Sequence, residues 1–307
     1  MKRILVSAGE ITGINLLLLT KTAKKKKNIC FDLITDIKPT EKICRFFNAE
    51  IPKNINLIQT SVRGLNVSPG QMSDDSAKLA FASLKESVDL IMKRRGGYLG
   101  LITLPVNKNQ INKIHKGFIG HTEYLAFREK KKTAMLLYSK KIAVVPLTTH
   151  VAVADVESKI NYKNLHPQFF AVHEFYKKYL KTTPKCAVLC LNPHCSDKGL
   201  LGKADEKILK ITEKLKKEFD VSSPLCADSA FTPENLKRFD VFFGMYHDQV
   251  LIPFKMLSFN SGINVTCGLS FLRVSPDHGP ACDKVFSKDI DSGSMEECVR
   301  FLEKIEN

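Results

Sequence analysis

Along the chain, short apolar and β-branched runs alternate with longer segments whose apolar residues recur with the helical period, the signature of alternating strands and helices. RILVSA, FDLIT, LGLITLPV, KIAVVPL, CAVLCL, FDVFFGM and INVTCG read as strands. Between them, DDSAKLAFASLKESVDLIMKRR sets Leu79, Ala82, Leu84, Val88 and Ile91 near one helix face, and DEKILKITEKLKKEF does the same with Ile208, Ile211 and Leu215. The fold class is therefore α/β. No internal repeat and no long Gly, Ser or Pro linker interrupts the pattern, so two domains would share a sheet or exchange the chain more than once.

Five of the strands run into polar residues in a comparable way. LVSA leads into Gly9-Glu10, LITL into Pro105-Val106-Asn107-Lys108, AVVPL into Thr148-Thr149-His150, AVLCL into Asn192-Pro193-His194, and VFFGM into Tyr246-His247-Asp248. In a parallel sheet the carboxyl ends of the strands share one edge, where ligands of open α/β folds bind. Three of the eight histidines, His150, His194 and His247, are thus aimed at one edge. Neutral imidazole is the commonest side-chain metal ligand, and three with an open position make a catalytic centre. Taken singly, each reads first as a loop imidazole bonded to backbone, and it is their repetition at strand exits that raises the metal reading. Asp248 and Gln249 either orient the His247 ring or cap the local turn.

Downstream, Lys255, Asn264 and Arg273 follow one another at intervals of nine residues, each in or beside an apolar segment. A cationic head there either snorkels to water or holds an anion. Lys and Arg converging on one place suit a substrate with both carboxylate and phosphate. GHTEYLAF sets His121 and Thr122 just before a helical pattern. Thr122 is the expected N-cap, and a helix start beside a histidine binds anions through its free N–H groups, with plain capping as the alternative. Asp277 and His278 in SPDHGPACD form either a ligand loop or a turn.

Composition narrows the classes. A chain of 307 residues with 44% hydrophobic residues can bury a large core, and no apolar run reaches the length of a membrane span. The opening MKRILVSAGEITG starts like a leader, but Glu10 ends its apolar stretch, so a cytoplasmic first strand is expected. Nine scattered cysteines, no pair with CxxC spacing, read as small buried hydrophobes rather than a zinc ribbon or disulfide framework. The formal charge of +15 comes from dispersed lysine clusters without interleaved aromatics, which points to a solvated basic surface and anionic substrates rather than specific nucleic-acid binding. There is no GxGxxG, Walker A or GxSxG motif, so a Rossmann dinucleotide site, a P-loop and a hydrolase elbow are unsupported.

The combination GHTEYLA, PLTTH, LNPHCSDKG, YHDQVLIPFK and GINVTCGLSFLRVSPDHGPACD, in this order from about Leu104 to the end, resembles the 4-hydroxythreonine-4-phosphate dehydrogenase family of the pyridoxal phosphate pathway. The resemblance implies two α/β/α domains like those of isocitrate and isopropylmalate dehydrogenases, approximated as residues 1–115 with 270–307, and 116–269 carrying the dimer contacts. It implies a homodimer with its active site near the interface, using NAD or NADP and a divalent metal (zinc, magnesium or cobalt). The chemistry implied is oxidative decarboxylation of 4-phosphooxy-L-threonine to 3-amino-2-oxopropyl phosphate. By the same resemblance, His150, His194 and His247 hold the metal, and His121, Thr122, Lys255, Asn264 and Arg273 contact substrate. Catalytic roles fall on Asp228, with His278 as the alternative general acid/base, and on Lys255. No residue is assigned to NAD.

Two departures matter. The family's first loop, Gly-Asp/Glu-Pro-Ala-Gly-Ile-Gly, here reads GEITGIN, keeping Gly9, Glu10 and Gly13. Its NPHAGE-G reads NPHCSDKG, placing Cys195 beside a ligand as either an oxidisable or an inert, buried thiol. Competing readings are a threonate or erythronate 4-phosphate dehydrogenase on the same scaffold, a three-histidine hydrolase of phosphorylated substrates, and a basic nucleic-acid-binding protein.

Overall fold

The structure is a computed structural model and describes residues 1–94, 96–287 and 289–306. In chain order the elements are β1 Lys2–Ser7, α1 Asn15–Lys25, β2 Ile29–Thr35, α2 Ile37–Phe46, β3 Ile55–Gln59, α3 Asp74–Lys93, β4 Leu101–Thr103, α4 Lys108–Ile114 and α5 His121–Glu129. There follow β5 Ala134–Tyr138, β6 Ala143–Pro146, α6 Val156–Lys159, α7 Tyr162–Phe175, β7 Cys186–Val188, α8 Ala204–Leu215, α9 Pro233–Arg238 and β8 Val241–Gly244. The chain ends with α10 His247–Ser258, β9 Ile263–Cys267, β10 Arg273–Pro276 and α11 Gly293–Glu306. Two compact units result, Met1–Lys130 with Leu269–Asn307, and Lys131–Gly268.

In the first unit, β3, β2, β1, β4 and β10 lie side by side and all run parallel. Parallel strands need crossover connections, and here the intervening helices supply them. The basic-then-apolar opening of the chain is strand β1, flanked by β2 and β4. α3 starts cleanly because Ser73 and Ser76 form a reciprocal capping box, with Asp74 and Asp75 in the first turn opposite the helix dipole. Its expected face is buried, with Leu79, Leu84, Val88 and Ile91 at 4% exposure or less. The helix ends at Lys93; Arg95, the last residue of the sequence pattern, lies outside the described residues.

In the second unit, β9, β5, β6, β8 and β7 are neighbours in that order. β6, β8 and β7 are parallel, whereas β5 is antiparallel to both β6 and β9. The seven expected strands are all present. Three more, β3 (INLIQ), β5 (AMLLY) and β10 (RVSP), were not expected. Polar residues break the apolar run in β3 and β10, and the basic stretch before β5 masks it, so the period signal was weak.

The altered first loop is tightly built. Gly9 adopts φ +58°, and a Cβ there would run into the carbonyl oxygens of Leu104 and Pro105. A Cβ on Gly13 would overlap the carbonyl of Pro280. Glu10 is buried and accepts from Thr12 N (3.2 Å), Thr12 Oγ1 (2.7 Å) and Ser76 Oγ (2.8 Å), while burial pushes its pKa up. The loop thus joins the start of α3 to the segment after β10. Gly13→Ala should destabilise the protein by about 1–3 kcal/mol through overpacking, measured by chemical denaturation. Gly279→Ala, where a Cβ meets nothing within 4 Å, should stay within about 0.5 kcal/mol of the parent.

Candidate active site

The first unit gathers Arg273, His121 and Thr122 around the start of α5. Arg273 opens β10 and is 2% exposed. Its Nε (3.0 Å) and Nη2 (2.5 Å) donate to Thr103 Oγ1 on the neighbouring strand β4. Burial lowers its pKa to about 10, which leaves it charged at neutral pH. His121 is the first residue of α5, and the N-cap is Gly120, not Thr122: the expected threonine cap is corrected, because the helix begins two residues earlier and no side-chain cap is made. His121 Nε2 is buried and has no hydrogen-bond partner among the described residues. Burial, and after it the charges of Arg273 and Lys108, hold the His121 pKa well below the ordinary histidine value. A neutral imidazole, a buried guanidinium and a helix start are groups whose chemistry suits an anion.

Beside this lies a cavity of about 700 Å³ in the same unit, bordered by Gly70, Met72, Lys108, Pro280 and Cys282 among others. Its volume is in the range of small-molecule and cofactor sites.

The second unit places the three histidines after β6, β7 and β8, parallel neighbours whose carboxyl ends share an edge, as the strand exits suggested. All three side chains are exposed. His247 starts α10 and donates from Nδ1 to Asp248 Oδ1 (2.6 Å), so Asp248 orients that ring. Gln249 has a structural role: Nε2 donates to Cys190 O (2.7 Å), and Oε1 accepts from Met245 N (2.7 Å), tying the end of β7 to the end of β8. Among the described residues, no group of three or more His, Cys, Asp or Glu side chains lies close enough to hold a metal ion. The donor chemistry suits a divalent cation, but one chain does not bring the three imidazoles to a common point.

His194 stands in a segment that sequence reasoning did not foresee. Residues His194 to Lys198 are all left-handed, with φ between 41° and 63°, a conformation that costs non-glycine residues energy and that surrounding bonds must enforce. The enforcing group is Asp205, buried at the start of α8. It accepts from Leu191 N (2.6 Å), Asn192 N (3.1 Å) and Ser196 Oγ (2.6 Å). Cys195 is bonded to Cys190, and Cys226 Sγ lies 3.3 Å from Cys195 Sγ. This corrects the expectation of cysteines free of disulfides: the left-handed segment folds Cys195 back onto the end of β7, a proximity that spacing alone does not show.

The remaining expected residues are less enclosed. Lys255 is half-buried on α10, with Nζ 5.4 Å from the Phe259 ring centre. Asn264 on β9 is also half-buried, and its Oδ1 has no hydrogen-bond partner among the described residues. Asp228 is exposed in a turn after β7. His278 donates from Nδ1 to Gly279 O (2.8 Å), beside the cavity-lining segment.

The family model described as pyridoxal phosphate biosynthetic protein PdxA matches residues 11–302. The 4-hydroxythreonine-4-phosphate dehydrogenase of Aquifex aeolicus (strain VF5) is 35% identical, covering 99% of this chain and 98% of that protein. The enzyme of the same name from Sulfurihydrogenibium sp. (strain YO3AOP1) is 33% identical over 97% of each chain. The crystal structure of 4-hydroxythreonine-4-phosphate dehydrogenase from Klebsiella pneumoniae shares the fold, with a TM-score of 0.83 at 24% identity and all of both chains covered. No helix among the described residues is long and apolar enough to cross a membrane.

His121 has a native pKa below its ordinary value of 6.5, so the unfolded chain takes up a proton that the native state refuses. Stability should therefore fall as pH drops below about 6.5. Chemical denaturation at pH 7.5 and 5.5 should show this loss, and His121→Asn should reduce it. An unchanged pH slope in that variant would mean that the ring is protonated in the native state.

Proposed function

Because the chain belongs to the pyridoxal phosphate biosynthetic protein PdxA family, we propose that it is an NAD- or NADP-linked, divalent-metal-dependent dehydrogenase of 4-phosphooxy-L-threonine, acting as a cytoplasmic homodimer. Its product is 3-amino-2-oxopropyl phosphate. The reaction would take a hydride and a proton from the C3 alcohol, then carbon dioxide from the resulting β-keto acid, and would return a proton to the carbon that loses it. When bound, the nucleotide supplies the hydride acceptor and the divalent cation supplies Lewis acidity. The observation that carries the reading within this family is the buried Arg273, whose charge acts on His121, together with a buried His121 Nε2 at a helix start that has no hydrogen-bond partner among the described residues.

Arg273 and the first turn of α5, with His121 and Thr122, bind an acidic group of the substrate. His121 stays neutral at working pH, because a proton there would face Arg273 without water, and so it can accept or donate one hydrogen bond at Nε2. Lys255 and Asn264 serve as further substrate contacts, Asn264 through an Oδ1 that has no hydrogen-bond partner among the described residues. Asp228 is assigned the proton transfer. The cavity beside Lys108 has the volume for the nicotinamide half of the dinucleotide. The imidazoles of His150, His194 and His247 are assigned to the metal. Since one chain does not gather them, a second copy completes the ligand set.

The homodimer has its own support. On α10, the helix that His247 begins, Ile252 (59% exposed) and Met256 (81%) stand one turn apart, followed by Phe259 (72%) just past its end. Such a stripe is what a partner surface covers. Met256→Glu should convert a dimer into monomer in sedimentation velocity and lower metal affinity with it. A parent protein that sediments as a monomer at micromolar concentration would remove the shared-ligand reading.

The decisive assay follows NADH formation with 4-phosphooxy-L-threonine, with and without a chelator, beside the threonate and erythronate 4-phosphates. Chelator-sensitive NADH from the threonine compound is expected. Oxidation of a sugar-acid phosphate alone would reassign the substrate, and phosphate release without NADH would replace the dehydrogenase with a hydrolase.

A further inference from the structure

Lys108 is placed against its own helix. It is the first residue of α4, where the helix dipole disfavours a cation, and α4 has no acidic residue in its first turn. The side chain is exposed yet does not simply extend into water. A Cβ built on Gly120 would lie 3.2 Å from Lys108 Cε and 3.3 Å from its Nζ. The ammonium therefore sits over the N-cap of α5, whose free N–H groups carry positive partial charge of their own. It also acts on His121 with the same sign as Arg273. Opposing this is Glu123 from α5, whose Oε2 would lie 2.9 Å from the same Gly120 Cβ. One carboxylate thus faces Lys108, the buried Arg273 and a helix start. A pair between an exposed lysine and a neighbouring carboxylate contributes at most about 1 kcal/mol of stability.

We propose that Lys108 is a phosphate-binding and specificity-determining residue, whose ammonium, with the first turn of α5, takes the phosphomonoester end of the substrate. The choice of substrate rests on the dehydrogenase reading; the anion site itself does not. A phosphomonoester carries close to two negative charges at neutral pH and has enough acceptor oxygens to meet the ammonium and the helix N–H groups together. Lys108 also borders the cavity, so the anchored end lies where cavity and helix start meet. The lysine would then separate phosphorylated hydroxy acids from their free alcohols.

The test uses Lys108→Ala and Lys108→Arg in the full-length enzyme; the position is exposed, and thermal melting checks that each variant folds. First, inorganic phosphate is titrated calorimetrically into each protein. Lys108→Ala should weaken binding by about tenfold or more, the loss of one charge-assisted contact, and Lys108→Arg should retain most of it. Second, steady-state kinetics of 4-phosphooxy-L-threonine oxidation should show the KM for that substrate rising by roughly 10- to 100-fold, with kcat changed less than about threefold and the KM for NAD unchanged. Phosphate binding that is absent in the parent protein, or equal in parent and Lys108→Ala, overturns the proposal. A rise confined to the KM for NAD also overturns it, since the lysine would then serve the dinucleotide. If the parent oxidises no threonine phosphate, the dehydrogenase reading falls, and the phosphate titration still decides the role of Lys108.

Discussion

A guanidinium sealed from water is the constraint around which the first unit's chemistry is organised. Moving an ion of that size out of water costs several kcal/mol even after the protein relaxes, and the bonds to Thr103 Oγ1 are among the contacts that offset it. That Arg273 remains buried implies that its position is worth more to the protein than its solvation. The strand pairing fixes the position: Arg273 stands opposite Leu101 in the β10–β4 register, with Thr103 two residues further along β4. Its field reaches His121 and, with burial, keeps that ring neutral. A charged imidazole beside a buried guanidinium would repel; a neutral one does not add to that positive charge.

The second unit spends its buried charge differently. Asp205 is enclosed at the start of α8, where the helix dipole favours a carboxylate. Instead of capping its own helix it reaches back to the residues that follow β7 and collects three donors there. Hydrogen bonds to a charged acceptor are the strong kind, and three of them are of the size needed to hold a run of left-handed residues that would otherwise relax. His194 is carried on that run. Positioning of a candidate ligand thus depends on a carboxylate eleven residues away in sequence, and on the sulfurs of Cys190 and Cys195 that close the same segment.

What the sequence made legible follows from which interactions are periodic. Amphipathic faces repeat, so α3 and α8 could be read with their buried residues. Strand exits are marked by a change from apolar to polar, so the shared edge of β6, β7 and β8 was visible as well. Non-periodic features were not. The burial of Arg273 depends on β10 lying against β4, which no local pattern announces. The left-handed path through His194 depends on Asp205, an acidic residue that in sequence looks like any helix-start aspartate. The N-cap of α5 lies at Gly120 and not Thr122, so the helix begins two residues early, a shift below the resolution of sequence patterns.

Net charge is the property most easily over-read in this chain, and burial sorts it. In the cluster KTAKKKKN, Lys25 and Lys26 meet Glu296 and Glu303 of α11 at 2.5 and 2.6 Å, so they join the first helix to the last. In REKKK, residues 130 to 132 are exposed. Such lysines set solubility and the long-range field, which brings anions toward the protein but does not select among them. Selection needs a cation whose water has been removed, because a bond to a ligand then replaces no competing solvent bond. Arg273 meets that condition through burial. Lys108, exposed on its own helix but turned over the start of another, meets it only when a ligand fills the pocket and excludes the remaining water. The two cations therefore differ in kind: the first is paid for by folding, whereas the second becomes strong only in the complex, which is why its contribution should appear in substrate affinity and not in stability.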